Sequence, residues 1–443
     1  MKLWQKNTDV NNAVENFTVG RDRDFDAALA PFDVLGSIAH AIMLETAGML
    51  SIEEKDNLVK VLREIYDEVN QPGFVVDKNM EDIHSQVENM LTQKLGDTGK
   101  KIHAARSRND QVLLDVKLFL RHAVFQLVYR VKTVFNILQE NSEKYKEHYL
   151  PGYTHLQMAM PSSFGLWFGA YAESLADDVL CLQSAYKIIN KNPLGSAAGY
   201  GSSFPINRTL TTELLGFDAM NYNVVYAQMG RGKAERVTAQ ALANVADTLA
   251  RFSMDACLYL NQQFGFISFP DTLTTGSSIM PHKKNPDVFE LIRAHCNRVK
   301  ALPNEITMLT TNLPSGYHRD YQLLKEQLFP AFDTLHRCLD MMELMLENIS
   351  VKENILADDA YKYIFSVEEV NRLSNEGITF RDAYRQVGAD IENGNFSPSR
   401  DLHHTHEGSM HNLQTAAIAG LMKDAIVGFN FSKAEKALQN LLL

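Results

Sequence analysis

QVLLDVKLFLRHAVFQLVYRVKTVFNILQENSEKYKEHY, residues 111–149, contains neither glycine nor proline. Within it Leu120, Val124, Leu127, Val131, Val134 and Leu138 recur at alternating intervals of four and three, the apolar seam of a long helix. At 1.5 Å per residue, the whole stretch as one helix would run roughly 60 Å. Leu242, Val245, Leu249, Phe252, Ala256 and Tyr259 repeat the pattern within 233–264. Further long helical candidates cover 162–191, 287–312 and 320–349, with kinks expected at Pro303 and Pro330. Five long helices in the middle of one chain predict an all-α fold built on a central bundle.

Working outward, Ser51-Ile-Glu-Glu54 is a capping-box pattern, and Leu58, Leu62, Ile65 and Val69 follow on one face. Period-two alternation is scarce, so little sheet is expected. The organisation suggests three parts: 1–105 with shorter helices, 106–350 holding the bundle, and 351–443 with short elements between Gly377, Gly388, Gly394 and Pro398. Seams this long predict that the bundle packs against copies of itself, giving a homo-oligomer.

Composition sets the class. The chain has 443 residues, of which 45% are apolar and 22% charged, ample for a large core and unlike a disordered chain. A net charge of −11, with no Lys/Arg run, argues against nucleic acid as a partner. The four cysteines (Cys181, Cys257, Cys296, Cys338) make no CxxC and read as reduced core thiols of an intracellular protein. Met1-Lys-Leu-Trp-Gln-Lys6 turns polar at once, so no signal peptide is expected. The longest charge-free stretch, 150–172, is broken by Pro151, Gly152 and Pro161, and no membrane span is expected there.

Four segments carry chemistry. Thr98-Gly-Lys-Lys-Ile-His-Ala-Ala-Arg-Ser-Arg-Asn-Asp-Gln111 offers Arg106, Arg108 and Asn109 as donors at a helix start, where the dipole favours an anion. On its own it also fits a solvated basic turn, capped by Asn109 or Asp110. Pro151-Gly-Tyr-Thr-His-Leu-Gln157 places His155, a residue suited to proton transfer near neutral pH, in a connection between helices. Gly276-Ser-Ser-Ile-Met-Pro-His-Lys-Lys-Asn-Pro286 combines a mobile start with two hydroxyls. Lys283 and Asn285 are suited to carboxylates, and Glu290 follows on the next helix. Tyr317-His-Arg-Asp-Tyr-Gln-Leu-Leu-Lys325 supplies hydroxyl, amide and ammonium donors, with Gln322 and Lys325 on one face if helical. No Walker A, GxGxxG or HExxH motif occurs. His403, His404, His406 and His411 lack a regular ligand spacing, so no metal site is expected.

These segments together resemble the fumarase/aspartase superfamily and, within it, the argininosuccinate lyase family. Residues 276–286 are similar to the superfamily's GSSxMPxKxNP signature. Ser107-Arg-Asn-Asp-Gln111, residues 151–157 and residues 317–325 look like that family's versions of the remaining regions. The resemblance covers roughly residues 25–350, in order. It implies a cytoplasmic homotetramer, with sites shared between chains, that cleaves argininosuccinate to arginine and fumarate in arginine biosynthesis, without metal or organic cofactor. It further implies Ser277 as base and His155 as acid, with Glu290 holding the histidine's other nitrogen. Lys283 and Asn285 would hold the succinyl carboxylates. Arg108, Asn109, Thr154, Gln157, Tyr317, Gln322 and Lys325 would bind the rest of the substrate. Alternatives are a superfamily lyase acting on another N-substituted aspartate, such as adenylosuccinate, or a non-catalytic relative like the lens crystallins.

The sequence also departs from the family pattern. The family's Asn-x-Ser stretch precedes an Asp-x-x-Leu-x-x-x-Asp pattern, which Asp26, Leu29 and Asp33 fit. Here the preceding segment is Thr18-Val-Gly-Arg-Asp-Arg-Asp-Phe25, with Asp22 at the serine's distance from Asp26. The family's Gly-Gly-Arg-Phe near the start is Gln5-Lys-Asn-Thr8, and a Ser-Asp-Arg-Asp stretch is Met229-Gly-Arg-Gly232, keeping only Arg231.

Overall fold

The computed structural model describes residues 11–443; Gln5–Thr8 and the start of the first part lie outside them. Helices dominate. The N-terminal ones are α1 (Asn12–Val19), α2 (Asp22–Thr46), α3 (Ile52–Val69), α4 (Ile83–Leu95) and the single turn α5 (Asp97–Lys100). Then come α6 (Arg108–Lys144), α7 (Phe164–Ile189), the short α8 (Arg208–Leu214) and α9 (Val224–Met229), α10 (Lys233–Leu260), α11 (Asp287–Leu309) and α12 (Leu323–Glu347). Four shorter helices close the chain: α13 (Ser366–Asn375), α14 (Phe380–Glu392), α15 (Thr415–Val427) and α16 (Phe431–Leu442). Strands occur only as two-stranded pairs among the described residues, chiefly β1 (Tyr149–Thr154) with β2 (Gln157–Ser163).

The five long helices stand where the periodicity put them. Every residue of the first seam, Leu120 to Leu138, is buried within the chain, as are Leu242, Val245, Leu249, Phe252 and Ala256 of the second. The seams therefore need no second copy to cover them, which corrects the reason first given for an oligomer. α11 and α12 continue through Pro303 and Pro330, and α2 contains Pro31.

Local chemistry sets the helix starts. Ser51 Oγ accepts from Glu54 N (3.1 Å) while Glu54 Oε2 accepts from Ser51 N (2.9 Å), the capping box expected. At α6 the cap is Ser107, not Asn109 or Asp110. Ser107 Oγ accepts from Asn109 N, and Asp110 turns back to accept from Ser107 N at 2.8 Å. The other carboxylate oxygen of Asp110 accepts from Gly195 N and Ala197 N, tying the 195–197 loop to the helix start. The sequence left Ser107 unread because three good capping residues stand within four positions.

Contacts along the helices fix their directions. Ser142 Oγ near the end of α6 donates to Gly165 O at the start of α7 (2.7 Å), so these two run antiparallel. Trp167 of α7 stacks on Phe252 of α10 (centroids 4.8 Å), and Ser174 bonds Thr248, which reverses direction again. Lys300 of α11 pairs with Asp247 of α10, and Arg293 reaches Met254, so α11 is antiparallel to α10. Phe119 stacks on Phe329 (3.9 Å) and Asn141 donates to Leu346 O, so α12 runs parallel to α6. Three helices, α6, α10 and α12, thus begin at one end of the bundle, and α7 and α11 begin at the other. The ends are separated by the length of the helices, roughly 35–55 Å.

Two other expectations are corrected. Residues 149–163 are a β-hairpin, not a plain loop between helices. Thr154 pairs with Gln157 around a two-residue turn in which His155 and Leu156 both take positive φ (54° and 60°), the twist that tight hairpins favour. Pro151, Gly152 and Pro161 hide this from a pattern search, because they weaken any strand reading. Among the cysteines, all free, Cys296 and Cys338 are buried but Cys181 is exposed. Among the described residues one helix, α2, is long and apolar enough to cross a membrane, and 78% of its most apolar window is buried inside the fold. A large core runs through the bundle and the helices flanking it. A separate small cluster (Val370, Leu373, Ala383, Val387, Phe396) holds the C-terminal helices α13 and α14 together.

Candidate active site

The expected site residues divide between the two ends of the bundle. Arg108, Asn109, Tyr317, Gln322 and Lys325 meet at the end where α6, α10 and α12 begin. There they line a cavity of about 170 Å³ together with Asp22, Asp26, Glu81, Asp82, Arg231 and Arg319. His155, Thr154 and Gln157 lie on the hairpin after the far end of α6, and Ser277, Lys283, Asn285 and Glu290 lie just before and at the start of α11. His155, Thr154, Gln157, Lys283 and Glu290 are all exposed. No hydrogen bond joins His155 to Glu290 among the described residues, so the orientation expected of Glu290 is not made within one chain.

The serine loop has a geometry of its own. Thr275–Gly276 pair with Lys284–Asn285, so the seven residues between them form the tip of a small hairpin. Asn285 Nδ2 donates to Gly276 O (3.3 Å) across its base. Ser277 Oγ accepts from Met280 N (3.2 Å) and from Ile279 N (3.4 Å). Two backbone N–H groups aimed at one hydroxyl oxygen stabilise negative charge on it, which is what a serine needs to act as a base. Lys283 and Lys284 add cationic groups at the tip, Lys284 pairing with Asp271. A loop this rich in donors, with no acid within its tip, suits a dicarboxylate.

The cavity at the opposite end is of mixed charge. Several donors expected to meet substrate are already engaged. Arg108 pairs with Glu81 (2.9 Å) and Asp82 (3.3 Å) and donates to Ser85 Oγ (2.7 Å). Gln322 Nε2 donates to the carbonyls of Thr18 and Val19. Lys325, almost fully buried, lies 2.6 Å from Asp22 Oδ1 and also pairs with Asp26. Burial opposes the lysine's charge, but the two carboxylates outweigh it and hold Lys325 charged. Burial pushes the Asp22 carboxyl up to about 6, against the pull of Lys325 and with Asp26 adding to the rise.

Beneath the cavity floor lies a buried ionic cluster. His84 Nδ1 is 2.7 Å from Asp33 and 3.5 Å from Asp115, and the three ligand atoms lie within 4.8 Å of one another. This is the one group among the described residues with a metal-like arrangement. Burial works against a charged His84, but Asp33, Asp115 and Asp82 outweigh it and push its pKa up to about 10. The His84 imidazolium is thus the counter-charge that the two carboxylates face in this structure. Arg106, flagged from sequence as an anion donor, is tied to Ser37 Oγ (3.0 Å) and does not line the cavity. His404 pairs with Glu368, and His411 bonds Tyr149.

Sequence reasoning missed Glu81, Asp82 and Arg319 and gave Asp22, Asp26 and Arg231 no role. Asp82 had a readable signal: it caps α4 by accepting from Ser85 N, as an Asp ahead of an apolar run should. Arg231 had none, because its place in the cavity depends on the start of α10 meeting the start of α12.

The chain is similar to several known proteins. A family model described as lyase matches residues 2–301. An argininosuccinate lyase of Bacteroides fragilis is 59% identical over 441 residues, covering 100% of this chain and 99% of the relative. One from Thermotoga neapolitana is 38% identical, covering 87% of this chain and 97% of its own. Among solved structures, EDDS lyase in complex with formate superposes with a TM-score of 0.77 at 20% identity, covering 98% of this chain and 94% of that one, a likeness of fold.

Proposed function

The chain belongs to the argininosuccinate lyase family, and from that premise we propose a role for each part of the site. It is a carbon–nitrogen lyase that splits argininosuccinate into arginine and fumarate in arginine biosynthesis. In the proposed mechanism Ser277, as its alkoxide, takes the proton from the succinyl carbon beside a carboxylate. The resulting dianion is held by Lys283 and Asn285. The electron pair then forms the fumarate double bond as the carbon–nitrogen bond breaks. His155, oriented by Glu290, gives its proton to the departing nitrogen. Arg108, Asn109, Thr154, Gln157, Tyr317, Gln322 and Lys325 position the rest of the substrate. The scheme calls for no metal or organic cofactor.

We further propose a cytoplasmic homotetramer of three-part chains (1–105, 106–350, 351–443). The observation that supports it most is the split of the site residues between ends roughly 35–55 Å apart. A substrate of about fifteen ångströms cannot touch both ends of one chain, since even a fully extended chain of atoms that small covers only a few residue lengths. A second copy packed antiparallel would bring the serine loop of one chain to the cavity of another. The bundle also keeps apolar side chains open to such packing, among them Leu180, Met254, Leu291, Met308 and Met341.

The deciding experiment follows fumarate absorbance with argininosuccinate and, separately, adenylosuccinate. Release of fumarate from argininosuccinate supports the reading. Release from adenylosuccinate alone would replace it with another lyase of the superfamily, and release from neither would favour a non-catalytic relative.

A further inference from the structure

The cavity at the start of α6, α10 and α12 contains two groups whose needs are not met by the protein. Arg231 is 4% exposed. Its Nε pairs with Glu235 (2.6 Å) and its Nη2 donates to Tyr321 O (3.0 Å), but Nη1 is buried with no partner among the described residues. A buried guanidinium N–H without an acceptor is costly and points to a ligand oxygen. Asp22 is the second group. It shares the single ammonium of Lys325 with Asp26, so two carboxylates face one cation, and its side chain keeps 18% of its surface open. Both residues line the same cavity, and Arg231 is close enough for its charge to act on Asp22.

An unmet donor beside an under-neutralised acceptor is the complement of a zwitterion. Resting on the argininosuccinate reading above, we propose that Arg231 and Asp22 form the recognition pair for the α-amino-acid end of the substrate, Arg231 Nη1 holding the α-carboxylate and Asp22 the α-ammonium. The two ends of argininosuccinate differ in this respect. The succinyl end is a dicarboxylate, which the cationic serine loop suits; the arginyl end carries one ammonium and one carboxylate, which only the mixed-charge cavity suits. The backbone favours the same orientation. The first turns of α6 and α12 and Arg231, two residues before α10, all line the cavity, and the N-terminal dipoles of these helices favour a carboxylate. Asp22 also gives the departure at residues 18–25 a function.

The test uses the whole enzyme and three substrates: argininosuccinate, its analogue lacking the α-amino group, and its analogue lacking the α-carboxylate. Wild-type enzyme should lose at least about tenfold in kcat/KM on each analogue, the worth of one charge-assisted hydrogen bond. Asp22→Asn should raise KM for argininosuccinate about tenfold or more with kcat nearly kept, yet leave the analogue without the amino group unaffected. Arg231→Lys should show the mirror pattern, losing its discrimination against the analogue without the carboxylate. A merely structural role would lower all three substrates together. If wild-type enzyme cleaves argininosuccinate but treats all three substrates alike, the recognition pair is wrong while the function stands. If argininosuccinate is not cleaved at all, the functional reading itself fails.

Discussion

Lys325 Nζ lies 2.6 Å from Asp22 Oδ1 in the floor of the cavity, and the same ammonium also pairs with Asp26, so one buried cation holds α12 to the start of α2. A residue placed by its motif among the substrate donors is thus also a structural tie. Removing one partner of a buried ionic group commonly costs about 3–5 kcal/mol, because the other charge is left unpaired. Lys325→Met should therefore destabilise the protein by about 3 kcal/mol in urea denaturation at pH 7, and Lys325→Arg by much less. The deficit of the Met variant should shrink as pH falls, because the Asp22 carboxyl, already pushed up by burial, takes up a proton in the folded state.

A second pH effect concerns turnover. Burial holds Asp22 at about 6, with Lys325, Asp26 and Arg231 as the charges acting on it. If its carboxylate binds the substrate ammonium, kcat/KM should fall as pH drops through about 6. Asp22→Asn should start lower and show no such limb. An unchanged acid limb in the variant would assign that ionisation elsewhere.

His84 predicts the opposite dependence for stability. Its pKa rises from an ordinary 6.5 to about 10 in the fold. A raised pKa contributes stability that is fully present below about 6.5 and is lost as pH climbs through about 10. His84→Gln should thus cost most below about pH 6.5, by at least about 2 kcal/mol, and its penalty should fade as pH rises from there to about 10. The readout is the urea midpoint of both proteins across that range.

Ser277, His155 and Lys283 should separate kinetically. Ser277→Ala should lower kcat by at least about 10²-fold with KM nearly unchanged, since a base acts only in the transition state. His155→Asn should also lower kcat, and less so with a substrate whose leaving nitrogen needs less protonation. Lys283→Ala should raise KM steeply, because its carboxylate partner is already present in the ground state. If Ser278→Ala, not Ser277→Ala, abolished turnover, the base would be the wrong serine of the pair.

The bundle was legible because its information is local. The spacing of Leu120 through Leu138 records which face is buried, and burial decides the helix. The hairpin around His155 was not, since Pro151 and Gly152 argue against a strand and only tertiary contacts override them. The motifs named candidate site residues, but not that Arg108 and Lys325 would already hold acids. Those acids, Glu81, Asp82, Asp22 and Asp26, come from distant segments whose meeting no spacing encodes. Nor could motif order show that the residues divide between two ends, since that follows from the directions in which the helices run.

That division makes the central claim testable by mixing. Ser277→Ala removes the proposed base at one end of the bundle, and Asn109→Ala removes a cavity residue at the other. Each variant alone should be nearly inactive. Dissociated, combined in equal amounts and reassembled, they should recover about a quarter of wild-type activity, since half the serine loops and half the cavities are intact and pair at random in a symmetric oligomer. No recovery, with mixed oligomers shown to have formed, would contradict a site built between chains.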